Sequence, residues 1–132
     1  MKKTDIVITI CLDDNKIPEK MSWSAKDGGV KNQSTKALLF SSWDDKNQET
    51  MKIDLWTKDM PIDQMNVFFH QTLVSMSESY LKATNNEKMN DAFNQFCEYF
   101  AEKLKLKKLK MILNKRVNIY KLILNGLIYL SL

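Results

Sequence analysis

Hydrophobic positions along this chain change period three times. Ile6, Ile8, Ile10 and Leu12 alternate with Val7, Thr9 and Cys11, a period of two rich in β-branched residues. Asp13-Asp14-Asn15-Lys16 is turn chemistry,. Ile17, Met21, Trp23 and Ala25 then resume the alternation, with Pro18 near the strand start, where a missing N–H is tolerated,. The pattern predicts a β-hairpin, closed by Asp27-Gly28-Gly29 and followed by a polar stretch to Gln33. Ser34 or Thr35 then caps a short helix carrying Leu38, Leu39, Ser42 and Trp43,. Met51, Ile53 and Leu55 alternate with Lys52, Asp54 and Trp56, which predicts a third strand,.

Beyond Asp59 the period lengthens. Asp59 and Pro61 open a long helix, because a first-turn proline lacks only an N–H that has no intrahelical partner,. Ile62, Met65, Phe69, Leu73, Met76 and Tyr80 recur at steps of three and four, the mark of one buried stripe,. Thr84-Asn85-Asn86-Glu87 has the form of a capping box, and Asn85 suits the left-handed conformation that ends a helix,. A last helix carries Met89, Phe93, Phe96, Phe100 and Leu104 at the same steps. The predicted order is β-β-α-β-α-α. It describes a small single α+β domain over residues 1–106, an antiparallel hairpin sheet with helices on one face. There is no internal repeat and no membrane-spanning run.

Charge separates that body from the rest of the chain. The net charge is +4 over 132 residues. Residues 1–106 hold 14 lysines against all 16 acids, a net of −2, whereas residues 107–132 hold five lysines and Arg116 with no acid, a net of +6. The basic pI therefore belongs to the tail, and a nucleic-acid footprint would need a basic face on the folded body. Seven Leu, four Ile, five Lys and three Asn dominate this extension. That vocabulary is what AT-rich DNA yields when translated outside its frame, so a frameshift or read-through is one expectation. The other is an interfacial helix, because Lys110, Asn114, Asn118, Lys121 and Asn125 recur at steps of four and three as a narrow polar stripe,.

Catalytic chemistry is hard to assemble from these residues. The only histidine, His70, lies beside Phe69 and reads as a flank residue, since a general base needs an oriented nucleophile and a metal ligand needs company,. Asp13-Asp14 and Asp44-Asp45 are adjacent pairs whose side chains diverge, so they read as turn and solvated-face residues,. Gly28-Gly29 opens no phosphate-binding motif, and no serine lies in a nucleophile elbow,. Cys11 and Cys97 form no close pair and read as reduced thiols of a cytosolic core,. The eight methionines read as core filling,. The apolar run Ile6 to Leu12 is short for a signal core and flanked by Asp5 and Asp13, so the body is expected in the cytoplasm, without metal or cofactor,.

Trp56 is the exception to this bland inventory. Strand parity puts it with Lys52 and Asp54, opposite Met51, Ile53 and Leu55,. Either it covers the start of the long helix, or it is an exposed aromatic anchor of the kind that dominates partner interfaces. The corner Trp56, Thr57, Lys58 and Asp59 is accordingly the expected partner surface.

That corner also carries a family resemblance. Lys52-Ile53-Asp54-Leu55-Trp56-Thr57-Lys58-Asp59-Met60-Pro61, followed by Phe68-Phe69-His70-Gln71-Thr72-Leu73, resembles the central signature of the GldC family. Asn86-Glu87-Lys88-Met89 and the run Cys97 to Leu104 resemble the family's C-terminal part, and Ile6 to Leu12 with Pro18-Glu19-Lys20 before Trp23 fits its beginning. The likeness spans residues 1–106 and leaves out the tail. It implies a cytoplasmic, non-catalytic accessory of the gliding-motility machinery of Bacteroidota-type bacteria, without cofactor, binding a protein partner of that apparatus. A peripheral membrane protein anchored by its tail is the alternative, and an enzyme working with Asp or Glu alone is a distant third.

Overall fold

The computed structural model describes residues 1–106, and these fall into two compact units, Met1–Met60 and 61–106. The frame-error and interfacial-helix readings of the tail lie outside the described residues. Together the units hold five strands followed by two helices, an α+β protein.

In the first unit β1 (Ile6–Leu12), β2 (Pro18–Ala25) and β3 (Val30–Thr35) form an antiparallel sheet in chain order. The β1–β2 turn is built as its residues dictate: the Asp13 carboxylate accepts the N–H groups of Asn15 and Ile17 at 2.9 and 3.0 Å, an Asx turn. A single 3-10 turn, Lys26–Gly28, leads into β3 through Gly29, whose φ of 70° favours glycine,. Register sorts the side chains into two faces. Ile6, Ile8 and Ile10 stand opposite Ala25, Trp23 and Met21, while Thr9, Ser22 and Ser34 form a polar row on the reverse. Met21 and Ala25 are the buried apolar residues of this unit among those described.

The short helix expected from Ser34 or Thr35 through Trp43 is not there. These residues finish β3 and form β4 (Ala37–Asp44), which pairs antiparallel with β5 (Glu49–Trp56) in a two-stranded ribbon. The Thr35 hydroxyl donates to the Ala37 carbonyl at 2.9 Å and so caps nothing. An eight-residue segment is too short to hold a helix by itself, and β5 offers it a complete ladder. The polar stretch before it is β3, held by its backbone pairing with β2. Asp44 closes the β4–β5 turn, accepting from the N–H groups of Lys46 and Asn47 and from the Asn47 amide at 2.7 Å. The two aspartate pairs thus supply turn residues.

The second unit is a helical hairpin of α1 (Ile62–Thr84) and α2 (Glu87–Lys103). Asn85 takes the left-handed conformation, φ 53°, and ends α1 as expected. The cap of α2, however, is Asn86, whose side chain accepts from Met89 N–H at 3.0 Å. Thr84 remains in α1, donating to the Tyr80 carbonyl at 2.8 Å, so the expected capping box is displaced by two residues.

The helix stripes also need correction. Ile62, Phe69 and Met76 of α1 are exposed, as are Met89, Phe96 and Leu104 around α2. The seam between the helices is made of small and polar residues: Ser77, 1 % exposed, with Asn90, Cys97 and Ala101. The Asn90 amide donates to the Ser77 carbonyl and hydroxyl at 2.7 and 2.8 Å, and the Ser77 hydroxyl donates to Asn94 at 2.6 Å. Small side chains let the backbones approach, and closed hydrogen bonding offsets the cost of burying the amide. The large apolar residues flank the seam. His70 is half-buried there, its ring stacked on Phe100 at 6.2 Å. Of the methionines Met21 is buried, but Met51, Met76 and Met89 are exposed, so core filling does not describe them as a group.

Candidate functional site: the ribbon corner and its tryptophan face

Strand β5 ends in the Trp56–Asp59 corner, and the four residues do different things. Thr57 is 3 % exposed. Its N–H donates to the Lys36 carbonyl at 2.8 Å, and its hydroxyl donates to the Asp59 carboxylate at 2.7 Å. Asp59 in turn holds the Lys36 ammonium at 3.0 Å. Lys58 reaches the other way: its N–H donates to the Pro18 carbonyl at 3.2 Å, and its ammonium lies 3.3 Å from both Asp13 and Glu19. The corner therefore clamps the end of the ribbon to the start of β2 and to the β3–β4 junction. Lys36, Asp13 and Glu19, absent from the expected surface, belong to the same cluster.

The electrostatics follow the contacts. The Thr57 hydroxyl, then Lys36, hold the Asp59 carboxyl below its usual 3.8. Asp13 is lowered chiefly by the Ile17 N–H, with help from Lys58. Lys58 is raised above 10.5, first by Glu19 and then by Asp13. Carboxyls with depressed values stabilise the fold above the ordinary carboxylate range, and this contribution disappears as pH falls through the lowered values. The raised Lys58 stabilises below 10.5 and is lost only as pH rises through its raised value,. Thermal melts across pH should therefore show a neutral plateau that declines below about pH 4. The decline should be modest, because these groups face water. A melting temperature that stays flat through the acid range would show that the clamp is not linked to folding.

Trp56 stands apart from the clamp. It is 53 % exposed and stands on one face of the ribbon beside Ala37, its cross-strand partner; the opposite face, with Phe40, Met51 and Ile53, is exposed as well. Its parity matches the expectation, since Lys52 and Asp54 share its face and pair at 2.7 Å. The same face carries Trp43, 60 % exposed, opposite Thr50 at the far end of the ribbon. Two exposed indoles thus bracket an ion pair on one strand face. Reading 34–43 as a helix concealed Trp43, because only strand parity places it with Trp56.

Beside the corner, the polar row of the three-stranded sheet opens into a groove of about 490 Å³ lined by Thr9, Cys11, Ser22, Ser34, Lys36 and Asp59, among others. Cys11 is therefore exposed and no core residue; Cys97 is buried, and burial pushes its thiol up. Among the described residues no three His, Cys, Asp or Glu side chains converge as a metal set, and no helix is long and apolar enough to cross a membrane.

Fold and site together define a small α+β protein with two exposed tryptophans on one face of a ribbon and an ion-paired corner at its end. The chain belongs to the family described as gliding motility-associated protein GldC-like, which matches residues 18–106. No curated protein and no solved structure matches it.

Proposed function

We propose that this protein is a non-catalytic, cytoplasmic accessory of the gliding-motility machinery and acts as a protein-binding or adaptor module. The observation that carries the reading is the tryptophan face of the β4–β5 ribbon. Trp43 and Trp56 stand more than half exposed on a face whose other residues are Leu39 and short or charged side chains. Exposed tryptophan is rare on a surface without a partner, and buried aromatic anchors supply most of the binding energy at protein interfaces. The clamp fixes the Trp56 end of that face, which lowers the ordering cost of binding there. Family membership supports a role in gliding motility, and the partner is then a protein of that apparatus.

Trp56→Ala should reduce gliding and the capture of partner proteins from lysate. Its thermal stability should stay close to the parent's, since a half-exposed side chain has little packing to lose. A stability loss of about 3 kcal/mol, the cost of truncating a buried Trp, would reassign Trp56 to the core. Unchanged gliding with unchanged capture would remove the ribbon face from the function.

A further inference from the structure

We propose that the free edge of β1 pairs with β1 of a second copy of this chain, antiparallel and centred on Ile8, making one six-stranded sheet from two three-stranded ones. In the order β1-β2-β3, strand β1 bonds β2 on one side, and its other side carries no strand among the described residues. An exposed edge is a template for pairing with another chain, and proteins commonly guard such edges with charge, proline or bulges. From Ile6 to Leu12 there is no charge and no proline, and the pairing with β2 becomes irregular only at Cys11/Leu12. Ile6, Val7 and Leu12 are each more than half exposed. The other edge of this sheet is guarded: β3 carries Lys31, its register with β2 shifts, and Asn32 has a φ of 46°. Both ribbon strands carry acids, and β5 adds Lys52. Among the described residues, strand β1 is the unguarded edge.

The occupant is argued from the strand's own complementarity. A two-fold contact requires that if residue i meets residue j, then j meets i. With Ile8 opposite Ile8 of the second copy, Ile6 meets Ile10 and Val7 meets Thr9, each twice. Ile6, Ile8 and Ile10 stay on one face, continuous with Met21, Trp23 and Ala25 in each copy. Beyond the strand, this register sets Lys3 opposite Asp13 and Lys2 opposite Asp14 of the other copy, so the basic lead-in of each chain lies along the acidic turn of its mate; Asp13 there already holds Lys58, and Lys2 would leave its 3.7 Å contact with Asp27,. Centring on Thr9 instead would set Asp5 against Asp13, a like-charge pair,. Charge therefore favours the Ile8 register over the Thr9 one, and Ile8 is also the centre that sets Ile6 against Ile10.

The test uses the full chain and reads its mass in solution by light scattering and sedimentation over a range of concentrations. The parent should associate to a dimer. In the chain carrying both Val7→Lys and Thr9→Lys, lysines face each other across the contact, and the dimer should weaken by about tenfold or more. Both sites are exposed and pair within the sheet with Ser24 and Ser22, so the monomer's far-UV spectrum should hold. Val7→Glu with Thr9→Lys sets opposite charges against each other in this register and should restore the dimer. As an independent readout, Ile8→Cys in a Cys11→Ser background should form an intermolecular disulfide on mild oxidation, because directly opposed strand residues lie within its reach. A monomeric parent, a dimer indifferent to both charge pairs, or an Ile8→Cys chain that does not cross-link overturns the proposal. An indifferent dimer would place the contact elsewhere, residues 107–132 or the ribbon face included.

Discussion

Met21→Ala should cost the strand unit about 3 kcal/mol, within the range for removing a buried methionine side chain. Met21 is 3 % exposed and stands in register between Ile10 of β1 and Thr35 of β3. It is the largest apolar side chain buried in this unit among the described residues, so truncation leaves a void between its strand partners Ile10 and Thr35. Urea unfolding followed by tryptophan fluorescence should show a lower midpoint at nearly unchanged slope, the sign of lost stability rather than an altered unfolded state. Met51→Ala provides the contrast. Met51 is exposed on the ribbon, and its truncation should stay within about 0.5 kcal/mol of the parent. Equal effects of the two substitutions would show that Met21 is not a packing centre.

The second large effect is expected at Ser77→Leu, again about 3 kcal/mol, lost from the helical hairpin. Two costs combine. A leucine in the tightest position of the seam overpacks it, which costs roughly 1–3 kcal/mol. Removing the hydroxyl also deprives Asn90 and Asn94 of a partner, and an unsatisfied buried amide carries a penalty of roughly 1–3 kcal/mol. Ser77→Ala separates the two, since it removes the hydrogen bonds without the crowding and should cost about half as much. Helical circular dichroism during denaturation measures both. If leucine is tolerated as well as alanine, the helices are not in close contact at that point.

These two sites mark where the sequence could be read and where it could not. Strands β1 and β2 were legible because Ile6 to Leu12 and Met21 to Ala25 alternate cleanly around an Asx turn. Strand β4 was not, because Ala37-Leu38-Leu39-Phe40 places apolar residues on both sides of a thin ribbon, and this erases the period of two. In the helices the aromatic residues at steps of three and four located the elements correctly, yet the closest contact runs through Ser77, Asn90, Cys97 and Ala101. Hydrophobic periodicity gives no weight to such residues. Asn86 took the cap from Thr84 because a helix can begin at any nearby residue able to accept from its third N–H,. At the site, parity alone placed Trp56 on the polar face. The partners of Lys58 and Asp59 left no local trace, since an ion pair is a meeting of distant residues with no spacing to detect.

That clamp has a consequence for the order in which the chain acquires structure. Its Lys58–Asp13 contact closes across 45 positions of the chain, whereas the Ser77–Asn94 bond of the helical hairpin spans 17. Closing a longer loop costs more entropy before any contact repays it, and folding rates fall as contacts become less local. During synthesis the first strands emerge early, but the unit they belong to cannot lock until the ribbon and its corner have followed. The ribbon can pair early, since Trp56 and Ala37 at its open end are near in sequence, but its ion-paired corner is completed late, and the edge of β1 waits in the company of an unfinished unit.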